Sequence, residues 1–128
     1  MSILTKDQIL SAHDLKKIKI EVPEWGGAVY IKTITARERD QFEDTIYRSK
    51  KKIDISNVRA HLASLVLVDE KGANLFSADD INHLGRKSAT AMDRVFSAGC
   101  KLNGMTPKDI EELEKNSSII PGDSSTLS

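Results

Sequence analysis

The chain has 128 residues, which is the size of one domain with room for a short tail. Its 19 basic residues balance its 19 acidic residues, so the long-range attraction to nucleic acid or to anionic lipid is weak. The single cysteine, Cys100, excludes an internal disulfide, and the longest strongly apolar run, residues 65–68, is too short to cross a membrane. These features predict a cytoplasmic protein that is neither secreted nor membrane-spanning.

The first 34 residues predict a short helix followed by a β-hairpin. Residues 5–13 have a helical pattern in which Ile9 and Leu10 form an apolar edge, but such a helix is too short to be stable alone. Over about residues 17–34 apolar and polar residues alternate, as in half-buried strands. The sequence PEWGG at 23–27 interrupts this alternation, which predicts a hairpin with a loop of about five residues.

The rest of the chain predicts helices whose starts are marked by capping residues. The expected caps are Thr35 with Glu38, Ser56, Ser77 with Asp80, Ser88, and Thr106 with Asp109. The first expected helix covers residues 36–51 and ends in three lysines at 50–52, and the second follows Ser56 and ends in a turn at 69–72. A short helix is expected from residue 77 to Gly85. An apolar helix is expected at 88–102 and a last one from 106 to about 115.

Together these elements predict an α+β fold that is predominantly helical, with an N-terminal β-hairpin packed on a bundle of about four to five helices. Residues 1–116 are expected to form a single globular domain. Pro, Gly and five Ser among the last twelve residues, 117–128, predict a disordered tail, because this composition buries too little apolar surface to offset its ordering entropy.

Catalytic and metal-binding patterns are weak. Asp79, Asp80 and His83 offer oxygen and nitrogen ligands on one short helix, but an acidic first turn stabilised by the helix dipole is the favoured interpretation. Cys100 lies between small and apolar residues, which is more typical of a core cysteine than of a nucleophile. The sequence therefore predicts no enzyme activity, no cofactor and no metal.

Two groups of residues are candidates for binding a partner. Trp25 and Tyr30 belong to the hairpin, and large aromatic side chains supply much of the contact energy of protein interfaces. Gly26 and Gly27 share the turn with Trp25. An alternative for Trp25 is that it folds back over the hairpin and covers the core. The second group is part of the apolar stripe of the helix at 88–102 and comprises Met92, Val95 and Phe96.

Four segments together resemble the tail assembly chaperones of long-tailed bacteriophages. They are MSILTKDQILSA at 1–12, EVPEWGGAVYIKTIT at 21–35, ARERDQFE at 36–43 and LNGMTPKDIEELEKNS at 102–117. The resemblance implies a non-enzymatic assembly factor of the infected bacterial cytoplasm. It would bind the tape measure protein and keep it soluble while the tail tube protein polymerises around it, and it would be absent from the finished particle. A frameshifted longer form, continuing after the Ser-rich end, would contact the tail tube protein.

Coating a long helical rod requires many copies of a small subunit with an apolar face, so we expect self-association into a ring or spiral. We expect neither membrane nor nucleic acid as a partner. Two other functions fit the residues: a minor structural or head-tail joining protein of the virion, and a small DNA-binding regulator built on the helices after Ser56.

Overall fold

The computed structural model describes residues 2–48, 55–106 and 108–109. This part of the chain contains a three-stranded antiparallel sheet in the order β1-β2-β3 and five α-helices. The elements in chain order are α1 (Lys6–Ser11), β1 (Lys17–Val22), β2 (Gly27–Lys32), α2 (Ala36–Arg48), α3 (Ile55–Val66), β3 (Leu67–Val68), α4 (Ile81–Leu84) and α5 (Ala89–Leu102), with 3-10 turns at Pro23–Trp25 and Ala78–Asp80. The predicted α+β, predominantly helical fold is confirmed.

The predicted hairpin is formed by β1 and β2. Lys17 pairs with Lys32 at its open end, and Val22 pairs with Gly27 at its tip. The loop is therefore the four residues 23–26, one fewer than predicted. Gly26 closes this loop at a φ of +74°, in the left-handed region that residues with a side chain rarely adopt.

The third strand was not predicted. β3 pairs antiparallel with β2, with Tyr30 opposite Val68 and Ile31 opposite Leu67. The apolar run 65–68 was assigned entirely to a helix, and this was wrong, because α3 ends at Val66 and the next two residues are extended. A continuous apolar run carries no periodicity that would separate the two conformations.

Capping residues determine where several helices begin. Thr35 and Glu38 form a reciprocal pair, in which Thr35 Oγ1 accepts from the Glu38 N–H at 3.1 Å and Glu38 Oε1 accepts from the Thr35 N–H at 2.9 Å. Ser77 and Asp80 form a second such pair, so both predicted starts are confirmed. The prediction for Ser56 was wrong, because α3 begins one residue earlier, at Ile55, and Ser56 lies inside the helix.

A mainly aliphatic core lies between the sheet and α2, α3 and α5. Phe42 is its largest fully buried side chain. Gly99 on α5 faces Leu62 and Val66 of α3, where a β-carbon would lie 3.5–3.6 Å from their methyl groups, in ordinary van der Waals contact. Gly99 therefore marks the place where α5 packs on α3. The remaining large, fully buried side chains are Val22, Ile31, Leu62, Val66, Leu67, Val68, Val95 and Cys100.

The predicted C-terminal helix begins as expected. Thr106 Oγ1 accepts from the Asp109 N–H at 3.1 Å, and Asp109 Oδ2 accepts from the Thr106 N–H at 2.9 Å. The continuation of this helix to 115, the lysines at 50–52 and the tail at 117–128 lie outside the described residues.

Candidate partner-binding surfaces

The hairpin tip is fastened to α5. Arg94 Nε donates to Glu24 Oε1 at 2.8 Å, and this hydrogen bond lowers the pKa of Glu24. Trp25 is half-buried and packs against the core, so it does not project freely into water from the turn. Of the two alternatives left open by the sequence, the position of Trp25 matches the one in which it covers the core. Gly26 and Gly27, both exposed, carry the chain around the tip into β2.

Tyr30 lies in the middle of β2 and is half-buried. Its ring is covered by the ammonium group of Lys17, which lies 4.7 Å from the ring centroid, a distance at which a cation is attracted to an aromatic face. Lys17 Nζ also donates to the backbone carbonyl of Glu70. One face of Tyr30 is therefore already in use within the chain.

The stripe on α5 forms part of the core. Met92, Val95 and Phe96 are 4%, 0% and 8% exposed, respectively. In this conformation a partner would have to displace α5 to contact them. Their assignment as partner-binding residues remains a prediction, and the structure does not bring them together with Trp25 on one accessible surface.

An open cleft of about 510 Å³ lies between the hairpin tip and α4. We call it the tip cleft. Trp25, Phe76 and Leu84 form its apolar part. Charged or polar groups line the rest, contributed by Glu24, His83 and Lys87. The combination of an apolar floor with a mixed-charge border suits the apolar side chains of another protein better than a charged small molecule.

A second cavity of about 450 Å³ shares Phe76 with the tip cleft but is lined mainly by polar side chains. His61 contributes to it, and partial burial of its imidazole lowers the pKa of that group. The imidazole also lies beside the ring of Phe42, with 5.6 Å between ring centroids. The other lining residues are Gln41, Asp44, Thr45, Ser64, Leu65, Asn74, Ser77, Ala78 and Ile81.

Most of the large, exposed apolar side chains of the described residues were not among the predicted candidates. Residues 2–16, which we call the N-terminal arm, are exposed throughout. Ile3 is 94% exposed and Leu10 is 74% exposed. The only sequence signal was the apolar edge of a helix too short to be stable alone. The other strongly exposed apolar side chains of the arm are Leu4, Ile9 and Leu15.

The structure places Cys100 and the group of Asp79 and His83, the reactive candidates that the sequence offered, as follows. Cys100 is buried, and burial together with the charge of Asp109 raises the pKa of its thiol to about 11, so at neutral pH the thiol stays protonated and unreactive. Asp79 and His83 are exposed, and no group of three or more metal-ligating side chains exists within the described ranges. Every helix there is too short or too polar to cross a bilayer.

Comparison with known proteins gives one family and one fold. A family model described as phage tail assembly chaperone matches residues 5–116. Among solved structures, the tail assembly chaperone of bacteriophage HK97 is similar, with a TM-score of 0.57, 17% sequence identity and coverage of 75% of this chain and 90% of that chain. At that identity the likeness concerns the fold alone. No protein with a curated description matches in sequence.

Proposed function

From the membership of the chain in the phage tail assembly chaperones, which the family model over residues 5–116 shows, we propose a function. The chain binds the tape measure protein and keeps it soluble while the tail tube forms. It acts in the cytoplasm of the host bacterium and is not retained in the virion. The family match is the observation that carries this proposal.

The surface of the described residues supports this proposal. The N-terminal arm exposes five large apolar side chains, and the tip cleft adds the half-buried Trp25 and Phe76 around one opening, with the buried Leu84 at its base. Apolar surface in a small near-neutral protein is suited to an apolar helical partner, since nonpolar contact supplies the affinity without strong charge steering. Many weak contacts along one rod bind it tightly overall, yet each copy can be displaced individually by the growing tube.

Two further partners follow from the same role. Self-association into a ring or spiral would surround the rod. A longer, frameshifted form that continues beyond residue 116 would bind the major tail tube protein through its extension. A chaperone of this kind requires no cofactor and breaks no covalent bond.

Co-expression of the full chain with the tape measure protein from the same operon tests the central step. We expect the tape measure protein to move from the insoluble to the soluble fraction and to co-purify with this chain. A tape measure protein that stays insoluble at a molar excess of the folded chain would contradict the proposal.

The contribution of Trp25 to binding of the tape measure protein is tested with Trp25→Ala. Ser97→Ala, on the exposed face of α5, is the matched control. We expect Trp25→Ala to reduce capture and Ser97→Ala to leave it unchanged. Far-UV circular dichroism checks the fold, because Trp25 packs on the core. Unchanged capture by a folded Trp25→Ala protein would remove Trp25 from the binding surface and leave the chaperone role standing.

Release from the particle is tested by mass spectrometry of purified virions. We expect peptides of the tail tube protein and none from this chain. Stoichiometric amounts of this chain in finished particles would instead identify a structural or head-tail joining component.

A further inference from the structure

The N-terminal arm makes its first described bonds to the rest of the protein only where it meets the sheet. Lys16 N–H donates to Thr33 Oγ1 at 3.1 Å, and Thr33 N–H donates to the Lys16 carbonyl at 2.8 Å. Before that point the described hydrogen bonds of the arm are local, within and next to α1. The arm is thus attached at Lys16 and otherwise surrounded by solvent.

The arm nevertheless encodes a defined helix. Thr5 Oγ1 accepts from the Gln8 N–H at 3.2 Å, and Gln8 Oε1 accepts from the Thr5 N–H at 2.9 Å, which is a complete capping box. A helix of six residues is not stable in water by itself, because its nucleation cost exceeds what so few hydrogen bonds return. The exposed Ile9 and Leu10 therefore indicate a helix that becomes stable when another surface covers it.

The tip cleft lies at the opposite end of the hairpin from the arm. The arm joins β1 at Lys17, which pairs with Lys32 at the open end, whereas Glu24 and Trp25 line the cleft beyond the tip. The six residues of β1 separate these points by roughly 17 Å at about 3.3 Å per residue.

The connection between α1 and β1 is too short for the arm to reach the cleft of its own chain. Residues 12–16 span at most about 17 Å when fully extended. The extended length of residues 12–16 equals the length of β1. The chain would also have to reverse its direction to return to the tip, and no residues of the connection remain for that turn. The cleft that the arm can enter belongs to another molecule.

We propose that the N-terminal arm of one copy docks in the tip cleft of a second copy. Ile9 and Leu10 enter the apolar part of the cleft formed by Trp25, Phe76 and Leu84. One pair of opposite charges supports this pairing, since Asp7 lies in the first turn of α1 and Lys87 lies at the border of the cleft that α1 would enter.

This contact deepens the self-association proposed above and rests on it. The donor and acceptor surfaces lie at opposite ends of each copy, so a copy can give its arm to one neighbour and receive an arm from another. Assembly of that kind is heterologous and closes into a ring or continues as an open spiral, whereas two copies that exchange arms with each other would stop at a two-fold dimer. A wild type that stops at a dimer would therefore keep the contact and contradict the ring or spiral.

Complementation between two full-length variants tests the arrangement. The arm variant carries Ile9→Asp and Leu10→Asp, and the cleft variant carries Phe76→Ala and Lys87→Glu. Light scattering after size-exclusion chromatography gives their masses without any tape measure protein present. We expect wild type to assemble with rising concentration, each variant alone to be monomeric, and an equimolar mixture to form a one-to-one pair that grows no further. Thr90→Asp on the exposed surface of α5 adds a carboxylate elsewhere and should assemble like wild type.

A charge exchange gives a second measurement. Lys87→Glu alone should weaken association about two- to fivefold, and adding Asp7→Lys in the same chain should restore it. If Phe76→Ala unfolds the protein, the charge exchange alone tests the contact, because Lys87 is exposed and its replacement leaves the core intact. Absence of restoration would overturn the pairing of Asp7 with Lys87.

The outcomes separate this inference from the proposed function. A wild type that stays monomeric at high concentration, or a mixture that stays monomeric, overturns the contact between arm and cleft. If that wild type still solubilises the tape measure protein, the chaperone proposal stands. Assembly and complementation without capture of the tape measure protein would support the contact and contradict the proposed function.

Discussion

Arg94 Nε lies 2.8 Å from Oε1 and 3.1 Å from Oε2 of Glu24, so a residue in the middle of α5 holds the tip of a hairpin that precedes it by 70 residues. Trp25 is the neighbour of Glu24 in the same turn. The position of the indole, and with it the shape of the tip cleft, thus depends in part on a charged hydrogen bond.

Replacing Arg94 should raise the pKa of Glu24 towards its ordinary value. The Arg94 hydrogen bond is the largest cause of the lowered pKa, followed by a backbone hydrogen bond that the variant keeps. The stabilisation from Glu24 is present above the ordinary glutamate pKa and is lost as the pH falls through the lowered one. An NMR titration of the Glu24 carboxyl in wild type and Arg94→Ala measures the change. Arg86→Ala, another exposed arginine, is the control and should leave the titration unaltered.

Gly26→Ala should lower the free energy of unfolding by about 1 kcal/mol, because alanine is strained at a φ of +74°. Space is not the cause, since a β-carbon at Gly26 would meet no atom within 4 Å. Gly27→Ala is the matched control, in equally open surroundings but at a φ outside the left-handed region. Denaturant unfolding of both variants decides this, and equal stability for the two would contradict the role of the Gly26 backbone.

Asn103→Ala should lower the free energy of unfolding by about 1–3 kcal/mol, because it leaves the buried Ile34 N–H without an acceptor. Asn103 Oδ1 accepts from that N–H at 2.7 Å, and Asn103 Nδ2 donates to the Gly99 carbonyl at 2.9 Å. The side chain thus ties the end of β2 to the end of α5. Asn82→Ala, at an exposed position of α4, is the control and should change stability by less than about 0.5 kcal/mol. If Asn103→Ala lowers the free energy of unfolding no more than Asn82→Ala does, the hydrogen bonds of Asn103 are dispensable for stability.

His61 should make the protein less stable in mild acid. Burial lowers its folded-state pKa, so the unfolded chain binds the proton first as the pH falls below the ordinary histidine value of about 6.5. The loss ends once the pH is below the lowered pKa. Urea unfolding at pH 7.5 and pH 5.5 measures the difference, and His61→Leu should reduce it. An equally large difference in His61→Leu would assign the effect to another group.

Features that depend on a few neighbouring residues could be predicted from the sequence. The pairs Thr35 with Glu38 and Ser77 with Asp80 mark helix starts because each cap is completed within one turn. The hairpin followed from alternation and from turn residues at its tip. These signals are local, so no knowledge of the tertiary structure was needed to use them.

Features that depend on distant residues could not be predicted in this way. β3 has only two residues, and its identity as a strand comes from pairing with Tyr30 and Ile31 of β2. The bridge made by Asn103 likewise connects residues 69 positions apart. No pattern within either segment indicates its partner.

The candidate binding residues illustrate the same limit. A periodic stripe such as Met92, Val95 and Phe96 has the same pattern whether it faces the core or a partner, and here burial places it in the core. The arm shows the reverse case. Its apolar residues, Ile9 and Leu10 among them, would pass for part of a small core in sequence, yet they lie in solvent.

The distance along the chain between β2 and β3 affects how the protein emerges from the ribosome. β2 ends at Lys32, but β3 begins only at Leu67, after two helices. Until those residues leave the exit tunnel, a nascent chain carries a hairpin with one strand edge unpaired and Ile31 uncovered. During synthesis this chaperone therefore itself exposes an unpaired strand edge and an apolar side chain, which are features that promote aggregation.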